Sequence, residues 1–360
     1  MAKRHPATLV GLDLGSMNTA VVIAQAVNDF QPRIVGVGES YTLGVRRGSV
    51  VDSEAASGSI RQALEKAGKI AGGRALPAYI GYSGLSITTR NCRVALKAGK
   101  HAGGRVHLQD IAADGIPAGE KLLAVLSTPG LLSILESGLI SEVRTITACG
   151  RDFDSVIESA RLAGLAVRDI IYSPLAAAEA LLSPAEKELG TLLVDFGAAA
   201  TTVSVIDRGL IRENAVLAVG GEHIIADLAI GLHISLTQAR EILKQYQVNR
   251  EAGQGCIDII RVDGEKAVNV PADLVHSIIT ARVKEVLEMI AGAVVKFNYA
   301  GQLPGGVVLY GGVAEMGGLT SLVENSLRFP VRIGVPKDTG MDLGPRYANA
   351  FGLVKCGFAS

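Results

Sequence analysis

The sequence predicts an α/β protein of two related lobes, and three observations carry that expectation. A strand, a glycine-centred turn and a second strand open the chain and recur past its middle; strands alternate with helical stretches after each copy; and a strand-rich segment interrupts the first half. The first block, Val10 to Ile23, reads VGLDLGSMNTAVVI, and the second, Val194 to Val205, reads VDFGAAATTVSV. Aligned on their aspartates they match Asp13 with Asp195, Gly15 with Gly197, Thr19 with Thr201 and Val21 with Val203. β-Branched runs on both sides of a glycine turn are a hairpin signal, and internal repetition sets the plan of a chain before any single element does. Alternating strands and helices give a layered α/β core.

After the first hairpin, RIVGVGES reads as a third strand, and Asp52 can cap a helix whose Ile60, Leu64 and Ala67 share a face through Lys69. From Pro77 to Ala148 the pattern turns to short alternating runs such as SITTRNCRVAL and EVRTITAC, with glycine breaks at Ala102-Gly103-Gly104, which predicts an inserted strand-rich subdomain. Helical spacing returns at Val156, Ile157, Ala160 and Ala163, ends at Gly164, and leads to the strand VRDIIYS and the small-residue helix PLAAAEALL. The second half repeats the plan with hairpins from Thr191 to Ala218, then helices near Glu222–Gly231 and Ser235–Gln247. A short hairpin (CIDIIRV, KAVNVP) precedes a long helix from Ala272 to Phe297, packed through Ile278, Val283, Val286, Ile290 and Val294. The strand GVVLYGG, a helix over Leu319–Leu327, the strand VRIGVP and the helix YANAFGLV close the chain. The expected division is a first lobe of 1–76, 149–189 and 331–360 and an insert of 77–148. The second lobe takes 190–221 and 301–330 as its core and 222–300 as a helical and hairpin subdomain.

Composition narrows the function. The chain has 360 residues with 35 basic and 35 acidic side chains, and a charged fraction of 19%. With no like-charge block and a balance of zero, long disorder is excluded, and so is nucleic-acid binding by phosphate neutralisation. Cys92, Cys149, Cys256 and Cys356 have no paired spacing, so neither a zinc knuckle nor a disulfide framework is expected. No long apolar run precedes Asp13, which argues against a cleaved signal peptide. No stretch approaches the roughly 18–20 apolar residues of a membrane span. A soluble, cytosolic protein is the expectation. The 43 glycines are well above the usual share of about 7%, which points to tight turns and close backbone approach.

A turn of small residues between two strands aims successive backbone N–H groups one way and makes an anion cradle. Gly15 and Gly197 allow contact with an oxyanion, and the Ser16 and Asn18 side chains add donors. Two such hairpins facing each other would clamp one phosphate chain, with Asp13 and Asp195 holding Mg²⁺ through water because that ion dehydrates reluctantly. Elsewhere the signals are plain. His223 follows Glu222 with no second ligand one turn on and reads as a solvated helix start, His101 and His107 read as exposed loop residues, and neither Ser83 nor Ser127 sits in a Gly-x-Ser-x-Gly elbow.

GLDLGSMNT and VDFGAAATT resemble the two phosphate motifs of the actin-like ATPase superfamily, and LYGGVAEMGGL resembles its adenosine motif. VGGEHIIADLAIGL followed by AREILK is similar to a stretch distinctive of the FtsA family of bacterial cell division, and the likeness covers nearly the whole chain. PilM-type pilus proteins share the insert and are the nearest competitor. The resemblance implies an actin-like, ribonuclease H-like α/β fold of two lobes with a small FtsA-type α+β insert. It implies that Asp13, Gly15, Ser16, Met17 and Asn18 cradle phosphate from the first half and Asp195, Gly197, Ala198 and Thr201 from the second. Gly220 and Gly221 approach the phosphates, Glu241 and Lys244 line ribose and adenine, and Gly311, Gly312 and Val313 pack on the nucleoside. ATP with Mg²⁺ is the implied ligand, and head-to-tail filaments and the FtsZ tail are the implied partners.

Two departures bear on chemistry. Ala198-Ala199-Ala200 replaces a turn that usually holds more glycine and a Thr, and Ser173 stands where stronger ATPases place a Glu or Gln that orients water. ATP is therefore expected as a structural ligand with at most slow hydrolysis. Tyr310, where Thr or Ser is usual, reads as core. The alternative is a non-polymerising adaptor of the PilM kind, docking a membrane-protein peptide in type IV pilus assembly. The insert is where the two should differ, and it reads as short near HAGGRVHLQD. A chaperone or sugar-kinase role is disfavoured, because no substrate domain or catalytic carboxylate stands in the expected places. FtsA proteins usually continue to a basic amphipathic membrane helix; FGLVKCGFAS shows no such anchor, so membrane recruitment is expected to go through a partner.

Overall fold

The computed structural model describes residues 7–28, 31–68, 75–96, 111–126, 141–246, 255–264, 267–299, 301–337 and 339–359. The first lobe opens with an antiparallel meander of β1 (Thr8–Leu14), β2 (Asn18–Asn28) and β3 (Gln31–Tyr41). A small hairpin of β4 (Val45–Arg46) and β5 (Ser49–Val50) leads into helix α1 (Ser53–Lys66). The Asp52 carboxylate accepts from the Ala55 N–H at 3.0 Å, satisfying a donor that the first helical turn leaves unpaired. β6 (Leu76–Tyr82) then pairs parallel with β1.

The insert is a four-stranded antiparallel sheet of β7 (Thr88–Leu96), β8 (Ile111–Asp114), β9 (Glu120–Leu126) and β10 (Ser141–Cys149), ordered β8-β7-β10-β9. The expected insert boundary at Pro77 is corrected here: β6, which contains it, is a central strand of the first-lobe sheet, so the inserted sheet begins only at β7. The HAGGRVHLQD stretch, His101, His107 and Ser127 lie outside the described residues. Helix α2 (Gly150–Leu162) and strand β11 (Leu165–Tyr172) return to the first lobe, where β11 pairs parallel with β6 and completes the order β11-β6-β1-β2-β3.

Helices α3 (Ser173–Leu181) and α4 (Pro184–Leu189) carry the chain to the second lobe. There β12 (Thr191–Phe196), β13 (Thr201–Asp207) and β14 (Leu210–Leu217) form a meander, followed by α5 (Gly221–Leu232) and α6 (Leu236–Gln245). The hairpin of β15 (Cys256–Ile260) and β16 (Ala267–Pro271) precedes the long helix α7 (Ala272–Lys296). β17 (Val307–Tyr310), a 3-10 turn at Gly312–Glu315, α8 (Leu319–Leu327) and β18 (Val331–Ile333) follow. This sheet runs β14-β13-β12-β17-β18, the same antiparallel meander and parallel extension as in the first lobe. Residues 331–333 therefore belong to the second lobe and not to the first, because β18 hydrogen-bonds to β17.

A 3-10 turn at Pro345–Tyr347 leads into α9 (Ala348–Ala359), which returns to the first lobe and packs on β1 and α3. Its small residues let backbones touch. A Cβ on Gly11 of β1 would stand 1.9 Å from Ala350 O, and one on Gly352 would stand 1.9 Å from Ala176 O. One apolar cluster joins Val10, Leu12, Ile60, Ile80, Phe351 and Val354 of the first lobe with the inward face of the second sheet, including Leu193, Val308 and Tyr310. A second cluster packs Leu192, Val194, Phe196, Ile224, Leu228, Val283 and Ile290 under α5 and α7. Each such fully buried side chain contributes roughly 1.5–3 kcal/mol, so both lobes and the junction between them rest on continuous core. No described helix is long and apolar enough to cross a membrane.

Candidate functional site

The two hairpins face each other across a cleft of about 1180 Å³ lined by both lobes. Their backbones match bond for bond. In the first, Asp13 lies opposite Ala20 and Gly15 N–H donates to Asn18 O at 3.1 Å; in the second, Asp195 lies opposite Thr202 and Gly197 N–H donates to Ala200 O at 3.1 Å. A Cβ on Gly15 would stand 2.8 Å from Asn18 O, and one on Gly197 would stand 2.9 Å from Ala200 O, so glycine is required at both. The tip N–H groups of Ser16 and Met17, and of Ala198 and Ala199, form no hydrogen bond among the described residues. Unpaired N–H groups grouped at a turn make an anion-binding concavity.

Asp13 and Asp195 open onto the cleft and are enclosed by protein on their other sides. Burial raises Asp13 from its ordinary 3.8 to about 6 and Asp195 to about 7; the Asp13 charge adds to the second shift, and Asn349 opposes both. The Asn349 amide lies between the carboxylates, with Nδ2 3.1 Å from Asp13 Oδ2 and 3.4 Å from Asp195 Oδ2. Gly311, at φ +91°, passes so close to Asp195 that a Cβ there would stand 2.4 Å from Oδ1. Ser173 Oγ and Asp13 Oδ1 both face the space above Gly81. Ser173 Oγ and Asn349 Oδ1 are buried without a hydrogen-bond partner among the described residues. An unmet buried polar group costs about 1–3 kcal/mol, so the arrangement suits a polar occupant. Two carboxylates among hydroxyl and amide oxygens form a hard donor set that fits a hydrated divalent cation, whose charge would reverse the upward shifts.

Most residues singled out in the sequence come together here. Asp13, Gly15, Ser16, Met17, Asn18, Asp195, Gly197, Ala198, Gly221, Glu241, Lys244, Gly311, Gly312 and Val313 all line the cleft. Thr201 and Gly220 do not. Thr201 is buried, and its Oγ1 donates to Val219 O at 2.8 Å; its counterpart Thr19 shares a hydrogen bond with Thr42 Oγ1 at 2.8 Å. Both threonines brace a turn rather than face a ligand. Gly220 lets α5 sit against the second turn, since a Cβ there would meet Gly197 O and Ala198 O at 2.5 Å.

Gly221 lines the cleft but offers no free donor. Its N–H donates to Gly197 O at 3.0 Å, and the Glu222 N–H donates to Ala198 O at 2.9 Å. His223 is more than a solvated helix start, because its Nδ1 accepts from Gly220 N–H at 3.2 Å. Ser16 Oγ accepts from Gly48 N–H at 2.9 Å, which braces the first turn from the β4–β5 hairpin and leaves the hydroxyl proton free to donate. Glu241 and Lys244 form an exposed ion pair at 3.0 Å on the α6 wall. Tyr310 is buried, as its apolar strand suggests, yet its hydroxyl lies beside Asp195. Asn349 was hidden in sequence, and its one signal is a polar side chain in a helix whose first seven residues, ANAFGLV, are otherwise apolar. Arg240, whose guanidinium lies 4.8 Å from the Tyr41 ring, and Arg346 also needed the fold to bring them across the cleft.

Comparison with known proteins decides the family. The model described as "Cell division protein FtsA" matches residues 192–352. The cell division protein FtsA of Bacillus subtilis (strain 168) is 30% identical over 96% of this chain and 82% of its own length. The chain belongs to the FtsA family. Among solved structures, the PilM-PilN type IV pilus biogenesis complex superposes with a TM-score of 0.72 at 18% identity over 99% of each chain. MreB 5 of Spiroplasma citri bound to AMPPNP superposes at 0.63 and 12% identity, over 97% of this chain and 95% of that one. At those identities the likeness is one of fold, and it places this FtsA-family chain in the actin-like architecture expected from its motifs. The competing pilus assignment is not better supported, since the PilM likeness is at 18% identity and the Bacillus subtilis FtsA at 30%.

Proposed function

We propose that this FtsA-family chain acts in bacterial cell division by binding ATP with Mg²⁺ in the cleft between its lobes. The observation that carries this reading is the pair of matched turns, each with two N–H groups at its tip that are unpaired among the described residues and an aspartate at its base. The tips of Ser16–Met17 and Ala198–Ala199 would hold phosphate oxygens from opposite sides, with the Ser16 hydroxyl and the Asn18 amide as further donors. Asp13 and Asp195 would hold Mg²⁺ through its water, and the ion would neutralise the phosphates and draw the lobes together. The Glu241–Lys244 pair and the Gly311–Val313 turn would form the nucleoside wall.

Ser173 cannot serve as an effective base, since a hydroxyl at neutral pH accepts a proton poorly. ATP therefore acts as a structural ligand that holds the lobes closed, with slow turnover. A closed form that presents complementary ends gives a head-to-tail, non-closing contact and so a filament. The FtsZ tail and later division proteins are the partners this family role supplies, with the chain in the cytoplasm and recruited to the division site through them.

Titration with a fluorescent ATP analogue tests the site. The wild-type chain should bind with Mg²⁺, and Asp195→Ala should bind at least about thirtyfold more weakly, the scale set by losing roughly 2 kcal/mol of ion contact; unchanged affinity would place the nucleotide elsewhere. Sedimentation with and without ATP tests the assembly. Material that stays in the supernatant in both would favour an adaptor that does not polymerise.

A further inference from the structure

The chain enters the second lobe through α3 and α4 and returns through the turn at Pro345–Tyr347 into α9. On that return, two side chains three residues apart each join an acid of the first lobe to an acid of the second. Arg346 Nη1 donates to both oxygens of Glu39 on β3, at 2.8 and 3.0 Å. Its Nε donates to Glu315 Oε1 at 2.7 Å, and Nη2 completes the fork on Glu315 Oε2, in the 3-10 turn after β17. Asn349 Nδ2 likewise reaches Asp13 on β1 and Asp195 on β12. Four carboxylates, two from each lobe, converge on one short segment.

We propose that Asn349 is a positioning residue for the Asp13–Asp195 pair, and that with Arg346 it makes residues 345–349 the crosspiece that sets the closed spacing of the lobes. This rests on the reading of the cleft as a cation and nucleotide site. The side-chain chemistry separates the two roles. An amide has two N–H bonds on one nitrogen and no charge, so it spans two carboxylates without neutralising them. A lysine or arginine in its place would take over the position of the cation; asparagine fixes the pair and leaves its charge to the ion. Asn349 Oδ1, buried and without a partner among the described residues, adds an oxygen acceptor at the same point. At the cleft rim no ion is required, and the planar Arg346 fork suits two carboxylates at once. Without it, Glu39 and Glu315 would face each other as like charges.

Release of a fluorescent ATP analogue from the full chain, followed by stopped flow with Mg²⁺ and again with EDTA, tests the proposal. Asn349→Ala should speed release roughly tenfold with Mg²⁺ and change it less than about twofold with EDTA, the range expected for one charge-assisted hydrogen bond. Asn349→Leu, close to asparagine in volume, should behave the same way and exclude a cavity effect. Arg346→Gln should speed release roughly tenfold in both conditions, with Arg346→Lys between it and wild type. Wild-type release from Asn349→Ala in Mg²⁺, or equal acceleration with and without the ion, would overturn the positioning role. If the wild-type chain binds no nucleotide, the cleft reading fails by itself, and hydrogen exchange on the ligand-free chain then decides the crosspiece. Faster exchange in Arg346→Gln at the hydrogen-bonded amides that close both turns, Gly15 and Gly197, supports it; unchanged protection at either amide overturns it.

Discussion

In the first lobe the turn between β1 and β2 carries Ser16, Met17 and Asn18 and is braced by a hairpin, through Gly48 N–H on Ser16 Oγ, and by the end of β3, through Thr42 N–H on Met17 O at 2.8 Å. In the second lobe the turn between β12 and β13 carries only Ala198, Ala199 and Ala200 and is braced by a helix, through the Gly221 and Glu222 N–H groups. The backbone between these supports is the same, with one glycine, one closing hydrogen bond of 3.1 Å, two N–H groups unpaired among the described residues and one aspartate. What the turns share is what a backbone anion cradle requires. What differs is how each lobe holds its cradle still, and only the first lobe adds side-chain donors.

The largest effect should come from the shared aspartates. Asp13→Asn and Asp195→Asn should each weaken Mg²⁺-dependent nucleotide binding about a hundredfold, equivalent to some 2.7 kcal/mol. Equal losses would show that the lobes contribute alike to the cation, whereas a loss confined to Asp195 would break the symmetry. Next come the glycines: Gly15→Val and Gly197→Val should each lower stability by about 1–3 kcal/mol, because the added side chain meets the carbonyl that closes its turn. Denaturant melts would measure this.

The supports should then separate the lobes. Ser16→Ala removes a donor and the Gly48 brace and should weaken binding about fivefold, while Ala198→Ser should change it less than about twofold. Thr19→Val and Thr201→Val should each cost about 1 kcal/mol of stability and leave nucleotide affinity unchanged, because both hydroxyls point into the protein.

An effect lost at acid pH concerns the first crossover, where Arg332 of β18 forks onto Glu186 of α4 at 2.6 and 2.9 Å and donates to Leu181 O at 2.8 Å. Burial raises the Glu186 carboxyl, but Arg332 and the Ser183 N–H and hydroxyl outweigh it and hold it at about 2 against an ordinary 4.5. A depressed carboxyl stabilises the fold above its unfolded value, and that contribution is lost as pH falls from about 4.5 toward 2. Glu186→Gln should therefore cost about 1 kcal/mol at pH 6, and denaturant melts should show its gap from wild type closing as the pH drops through that window.

Local patterns made much of this molecule legible. The hairpins were readable because glycine turns between β-branched runs have few alternatives, and the α7 and α8 boundaries followed from helical spacing between breaker residues. The insert boundary at Pro77 was misplaced because a strand of one sheet and a strand of the next look alike in sequence; only the pairing of Val10 through Asp13 with Ala78 through Gly81 assigns β6. Thr201 aligns with the phosphate motif, but at its position in the pleat the side chain turns away from the cleft toward Val219. Gly221 offered an apparent donor that the neighbouring turn had already taken.

By itself the sequence determined that the chain holds two copies of one turn, each with a glycine where the backbone folds back and an aspartate at the strand end. Hairpin formation depends on residues next to one another, so the information is local. Only the tertiary structure decided that the copies face each other, and that Asn349 and Arg346, far from both turns in sequence, lie across them. Those contacts depend on where α9 docks on β1 and α3, and that docking is set by backbone approach at Gly11 and Gly352, which no periodicity in the chain encodes.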